Sequence, residues 1–350
     1  GTVVKLKFNS GIFVDGRIVA DSLGTSTPIV FTSYDDDEYG GDTNQNATST
    51  LPSDRNWLGI TFNPGSDSHF NNVVFKYSGQ STIGVSNYSG LSVNSSKLAI
   101  RNSFISTNGR HGIVNIKGEV SVSNSVIENN IFGVYAESGT THLENNVIRN
   151  NTVEGVHAGI YGELNLVNNQ FMNNQSTAQI GAGVMFTHTG NSSLDRSYRG
   201  FNTLGVPLDG QIIGGSDLPI IISGGLMSIA SGTTVSIRPG TVIKIDNNSS
   251  FDVSGNLNIN GDKNNDVVFT SIKDDSVMGD TNADGSLTSP SANDLQGIVF
   301  SKGSYSNISN TIFKNSLRGI INNGGYINIV DSAFATSTHL AIHVYDGNLN

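Results

Sequence analysis

Two stretches of this chain carry the same text at a constant offset of 238 residues. Val30-Phe31-Thr32-Ser33 returns as Val268-Phe269-Thr270-Ser271, and Gly41-Asp42-Thr43-Asn44 returns as Gly279-Asp280-Thr281-Asn282. Gly59-Ile60 matches Gly297-Ile298, and Val74-Phe75-Lys76 matches Ile312-Phe313-Lys314. One offset held across the intervening acidic text means that a large structural unit was duplicated together with its loop. A repeat of this size constrains architecture before composition does.

A finer period runs inside the large one. Asn102-Ser103-Phe104-Ile105, Asn124-Ser125-Val126-Ile127, Asn145-Asn146-Val147-Ile148 and Asn168-Asn169-Gln170-Phe171 recur at steps of 22, 21 and 23, with a second beat at Gly112-Ile113, Gly133-Val134 and Gly155-Val156. A unit of about 22 residues with short β-branched runs and no helical periodicity cannot bury its own apolar side, so it must stack on its neighbours. The expected fold is all-β: a parallel β-helix, or solenoid, of about 13–15 coils at about 4.8 Å per coil. The inward column is expected to be Ile105, Ile127, Ile148 and Phe171, with Ile113, Val134 and Val156 on another wall. Asn102, Asn124, Asn145 and Asn168 are expected to form a side-chain ladder at a corner. Glu128 and Arg149 fall on equivalent outer positions of adjacent coils and should pair.

The chain is rich in Gly, 41 of 350 residues, and only 14% charged, as turn-dense stacked coils require. Two acidic loops, at 34–56 and 272–294, interrupt the rhythm, and 189–218 reads as a junction. The repeats divide the chain into a first unit at 1–205 and a truncated second copy at 206–350, joined as one solenoid. Gly1-Thr2-Val3-Val4-Lys5 matches Gly240-Thr241-Val242-Ile243-Lys244, so both ends read as cuts through a longer rod, with any targeting segment outside it. The formal charge is 19 − 29 = −10 with no basic run, which argues against nucleic acid and favours cations. With no cysteine there is no disulfide framework, and no apolar run reaches the length of a membrane span.

The second acidic loop carries the strongest chemical signal. Asp280, Asn282 and Asp284 place oxygens at alternate positions ahead of Gly285, a spacing that lets one short loop wrap several ligands around a hard cation such as Ca²⁺. The run resembles the first two thirds of an EF-hand or dockerin calcium loop, but Ser291 stands where the bidentate Glu would be. The missing carboxylate is expected from Asp274, Asp275 or Asp294. In the first loop Asp42 and Asn44 keep their places, whereas Asn46 replaces the third acid and Ala47 the turn glycine. Asp35, Asp37, Asp42 and Asn44 are the candidate ligands there.

The run Thr241-Val242-Ile243-Lys244, then Val268-Phe269-Thr270-Ser271, paired Asp with Gly-Asp-Thr-Asn, Gly-Ile and Phe-Lys resembles the right-handed β-helix repeats of large prokaryotic cell-surface proteins, in the pectin-lyase-like superfamily. The resemblance implies a right-handed coil and an extracellular or cell-surface location. That fold hosts lyases, hydrolases and epimerases as well as adhesins and surface-layer proteins, so activity must come from a site. The catalytic candidates are Arg110 and His111, which precede a repeat glycine and should project at a turn near Lys117, Glu137, His157 and Tyr161. The hydrolase pattern of Asn-Thr-Asp, paired Asp, Gly-His-Gly and Arg-Ile-Lys is absent as a set. The expected function is therefore a non-enzymatic, calcium-stabilised segment of a surface protein: an adhesin, stalk or surface-layer element touching extracellular polysaccharide or other surface proteins. The alternative is a polysaccharide lyase, hydrolase or epimerase. Tyr34, Tyr39, Tyr77, Tyr88 and Tyr135 could line a carbohydrate groove, and Trp57, which replaces Leu295, is expected to pack inside.

Overall fold

A computed structural model describes residues 1–22, 24–80, 89–181, 183–203 and 205–350. Their regular elements are all strands, and the chain makes about 12 solenoid turns of parallel sheet. The expected 13–15 is an overcount because the segments between Ser33 and Gly59 and between Ser271 and Ile298 contain no strand and add no coil. Two compact units are present, Gly1–Thr177 and Ala178–Asn350.

In the first unit a turn reads Phe104–Ser106, His111–Asn115 and Glu119–Ser123, and the next turn begins at Val126–Glu128. Because strand side chains alternate in direction, each strand sends one residue set inward, and parallel register lines those residues up between coils. Ile105 pairs with Ile127, Ile148 and Phe171 in succession, and Ile113 with Val134 and Val156. All seven are buried, as the period implies. Burying each such side chain contributes about 1.5–3 kcal/mol, and only the neighbouring coil can supply the cover. Trp57 is fully buried and its Nε1 donates to the Lys76 carbonyl oxygen at 2.9 Å. Arg149 Nε donates to Glu128 Oε2 on the coil below.

The second unit uses the same plan with larger rings. Ile243, Phe269, Phe313 and Phe334 stand in register. The Phe269 and Phe313 rings lie 5.2 Å apart and nearly parallel, and Phe313 and Phe334 4.9 Å apart. Offset stacking of this kind adds to area burial.

The polar ladder lies one residue beyond its expected place. Asn102, Asn124, Asn145 and Asn168 have φ of 49°, 50°, 55° and 52°, so they supply the left-handed turn rather than the stack. The residue after each one points inward. Ser103 N donates to Ser125 Oγ, Ser125 N to Asn146 Oδ1 and Asn146 N to Asn169 Oδ1, each at 3.0 Å. A second ladder follows at the next corner, where Asn108 N donates to Asn130 Oδ1, Asn130 N to Asn151 Oδ1 and Asn151 N to Asn174 Oδ1 at 3.0–3.1 Å. These amides satisfy corner backbone N–H groups that no strand ladder reaches.

Replacing Asn130 by Ala would leave the buried Asn108 N–H without an acceptor and is expected to cost about 1–3 kcal/mol in urea denaturation. Asn145→Gly, at a left-handed position, is expected to be near neutral in the same measurement.

Candidate metal centre

The acidic loop of the second unit is fixed at its base before its carboxylates converge. Asp274 is buried, with Oδ2 accepting from Thr270 Oγ1 at 2.6 Å and Lys314 Nζ at 2.8 Å. Bonds from Lys314, Ser276 and Thr270 outweigh the penalty of burial and hold its carboxyl down at about 2. Lys244, fully buried, donates to the carbonyl oxygens of Asp274 at 3.0 Å and Gly279 at 2.8 Å. Burial pushes its ammonium down to about 8, against the attraction of Asp274, Asp275 and Asp280. Asp294 accepts from Ser271 Oγ at 2.7 Å and Lys273 Nζ at 3.0 Å. Both Asp274 and Asp294 are engaged by the frame, and neither is among the carboxylates whose oxygens lie close together.

Asp275, Asp280 and Asp284 are the carboxylates that meet. Each offers an oxygen within 4.8 Å of the others. Ca²⁺ with bonds of about 2.3–2.6 Å places opposite ligands at most about 5 Å apart, so the spacing fits. Asp280 is oriented by the backbone N–H of Asp284 at 3.1 Å and of Gly285 at 3.0 Å, and by Arg199 Nη1 at 3.1 Å. Ala283 and Gly285 have φ of 55° and 72°, which folds the chain back over that carboxylate.

Three oxygens here are buried without a hydrogen-bond partner: Asp275 Oδ1, Asn282 Oδ1 and Asp284 Oδ1. The amide orientation of Asn282 is fixed, because its Nδ2 donates to Asp284 Oδ2 at 2.8 Å and Thr288 Oγ1 at 3.2 Å, leaving Oδ1 turned inward. Acceptor-only oxygens cannot satisfy one another, and burying them unpaired is costly. Burial and the nearby Asp280 charge raise the Asp275 pKa, while the Thr288 hydroxyl lowers that of Asp284. The donor set is entirely oxygen, as a hard cation requires.

The first loop has the same frame. Thr32 Oγ1 donates to Asp36 Oδ2 at 2.5 Å, Lys5 Nζ to the Gly41 carbonyl oxygen at 2.6 Å, and the N–H groups of Asn46 and Ala47 to Asp42 at 3.1 and 2.8 Å. Asp35, a candidate ligand, accepts from Asn44 Nδ2 at 3.1 Å, Thr50 Oγ1 at 3.3 Å and Asn56 Nδ2 at 3.0 Å, so it braces the loop. Asp37 and Asn44 each keep an unpartnered buried oxygen, and so does Asn46. Asn46 was not among the expected ligands, although the 238 offset that maps it onto Asp284 was available in the sequence.

Residues 46–197 match the family model described as "Right handed beta helix region". No curated protein matches the chain. Among solved structures, the A-module of mannuronan C-5 epimerase AlgE4 from Azotobacter vinelandii aligns over 98% of this chain and 91% of that chain, at 12% identity and a TM-score of 0.24. A likeness so distant carries no argument about activity.

On the β-helix the two catalytic candidates part company. Arg110 is exposed and, with Arg55, Gly109 and Ile131, lines a shallow pocket of about 220 Å³. His111 does not project as expected: it is 6% exposed, packed against Phe132 and Tyr135 with ring centroids 5.4 and 4.7 Å away, and its Nδ1 lies 3.1 Å from Ser89 Oγ. Burial, with Arg110 and His157 nearby, pushes its pKa down to about 3. Glu154 Oε2 holds His157 Nδ1 at 2.7 Å, and Tyr161 is exposed. Of the tyrosines considered for a groove, Tyr88 lies outside the described residues, and Tyr135 stacks on His157 at 4.7 Å. Another histidine, His188, is buried with Nδ1 2.6 Å from Asp217 Oδ1.

Folded, His111 stays neutral down to about pH 3, whereas the unfolded chain takes up its proton below about pH 6.5. Its contribution is therefore whole above pH 6.5 and is lost as pH falls towards 3. Urea titrations at pH 7 and pH 4.5 are expected to show a loss of about 2–3 kcal/mol in the wild type that His111→Gln does not show.

Proposed function

We propose that this chain is a non-enzymatic, calcium-stabilised β-helical segment of an extracellular or cell-surface protein, serving as a stalk, adhesin or surface-layer element. The observation that carries the reading is the convergence of Asp275, Asp280 and Asp284 together with three buried oxygens that lack any donor. A cation supplies the missing positive partner. Three carboxylates and an amide without a bidentate Glu correspond to a moderate site, of the order of 10⁻⁴–10⁻³ M as in extracellular modules, and surroundings rich in calcium would keep it filled. The net charge of −10 favours cation uptake and disfavours nucleic acid. Stacked coils supply length and a repetitive polar face that can contact extracellular polysaccharide or other surface proteins. Burial of His111 supports a structural role for that side chain.

Because the ion binds the closed loop and not the open chain, occupancy adds directly to stability, by about 2.7 kcal/mol at a hundredfold excess over Kd. Calorimetric melting is expected to show a Tm that rises with millimolar Ca²⁺ and falls with chelator, and a response that shrinks in Asp284→Ala. A Tm indifferent to calcium and chelator would refute the reading.

A further inference from the structure

The first acidic loop answers to the same chemistry with less charge. Asp37, Asn44 and Asn46 correspond by the 238 offset to Asp275, Asn282 and Asp284, and in both copies the same three Oδ1 atoms are buried without a partner. Amide orientation cannot be blamed. Asn44 Nδ2 donates to Asp35 Oδ1 at 3.1 Å and Thr50 Oγ1 at 3.2 Å, and Asn46 Nδ2 donates to Thr50 Oγ1 at 2.7 Å, while the Thr50 hydroxyl itself donates to Asp35. Both carbonyl oxygens are therefore directed into the loop. Gln45 and Ala47, with φ of 56° and 54°, repeat the left-handed positions of Ala283 and Gly285. Ala47 holds that conformation without the freedom of glycine, so the fold of the loop has survived the substitution that most opposes it.

The geometry points to a second calcium site in the first loop, formed by Asp37, Asp42, Asn44 and Asn46, and weaker than the site of the second loop because position 46 is an amide. This rests on the reading of the second loop as a cation site. The first loop offers two carboxylates at these positions, Asp37 and Asp42, where the second offers three, Asp275, Asp280 and Asp284. Affinity at sites of this type follows the number of charged ligands. One chain would then bind two ions in separate concentration ranges, the second loop filling first.

Isothermal titration of the full chain with CaCl₂ is the test. Two sites whose affinities differ by about tenfold or more are expected. Asn46→Asp should tighten the weaker site about tenfold and leave the tighter one unchanged, whereas Asp284→Asn should weaken the tighter one. Asp37→Asn should abolish the weaker site alone. A single site that is lost in Asp284→Ala and untouched by Asn46→Asp or Asp37→Asn would overturn the inference and leave the proposed function standing. Absence of any calcium uptake would remove both.

Discussion

A side-chain amide accepting the backbone N–H of the coil beside it is the interaction on which the first unit depends. Strands of three to seven residues leave a corner after each run, and at a corner the backbone turns out of register with the sheet. Asn146, Asn169, Asn130, Asn151 and Asn174 carry their oxygens to those N–H groups, all of them buried. The neighbouring Asn145 or Asn168 accepts the left-handed backbone that aims the next residue inward. Turn and ladder are thus one device of two adjacent residues, one chosen for its φ and the other for its amide.

The acidic loops use a different device on the same scaffold. Each leaves a sheet strand that ends in Thr-Ser and is clamped at once by the threonine hydroxyl on a buried aspartate, Asp36 or Asp274. A lysine from the strand of a neighbouring coil, Lys5 or Lys244, then holds the carbonyl oxygen of Gly41 or Gly279. In the second loop Asp275, Asp280 and Asp284 come close together with Arg199 as the cation paired to Asp280, while Lys244 is spent on carbonyl oxygens. The loops are closed by protein contacts but left with a local excess of negative charge.

Most of the fold was legible because its cause is periodic. A step near 22 residues determines which side chains stack, and Ile105, Ile127, Ile148 and Phe171 fall where that step puts them. The ladder was misplaced by one residue because asparagine serves both turn and amide roles, and Asn145-Asn146 or Asn168-Asn169 gives no compositional means of telling them apart. In the acidic loop, alternation drew attention to Asp280, Asn282 and Asp284 but could not say whether Asp274 or Asp275 lies beside them. That choice depends on Thr270 and Lys314, two partners that adjacency in the sequence does not reveal. His111 was misjudged for the same reason: Phe132 and Tyr135, from the next coil, cover it.

The two copies also show which parts of the loop tolerate change. Asp35 and Asn56 brace the first loop through a carboxylate and an amide, whereas Lys273 and Asp294 brace the second through an ion pair with its polarity reversed. The brace needs only complementarity. By contrast, Asp42 and Asp280 each take the two backbone N–H groups that follow the left-handed residue, and the three inward oxygens stay without donors in both loops. If the inward oxygens served only to close the loop, a donor in their midst would relieve their burial in at least one copy. Neither copy has acquired one among the described residues, while the brace around them has been rewritten. The unsatisfied oxygens are therefore the part of the loop that the surrounding structure is arranged to keep.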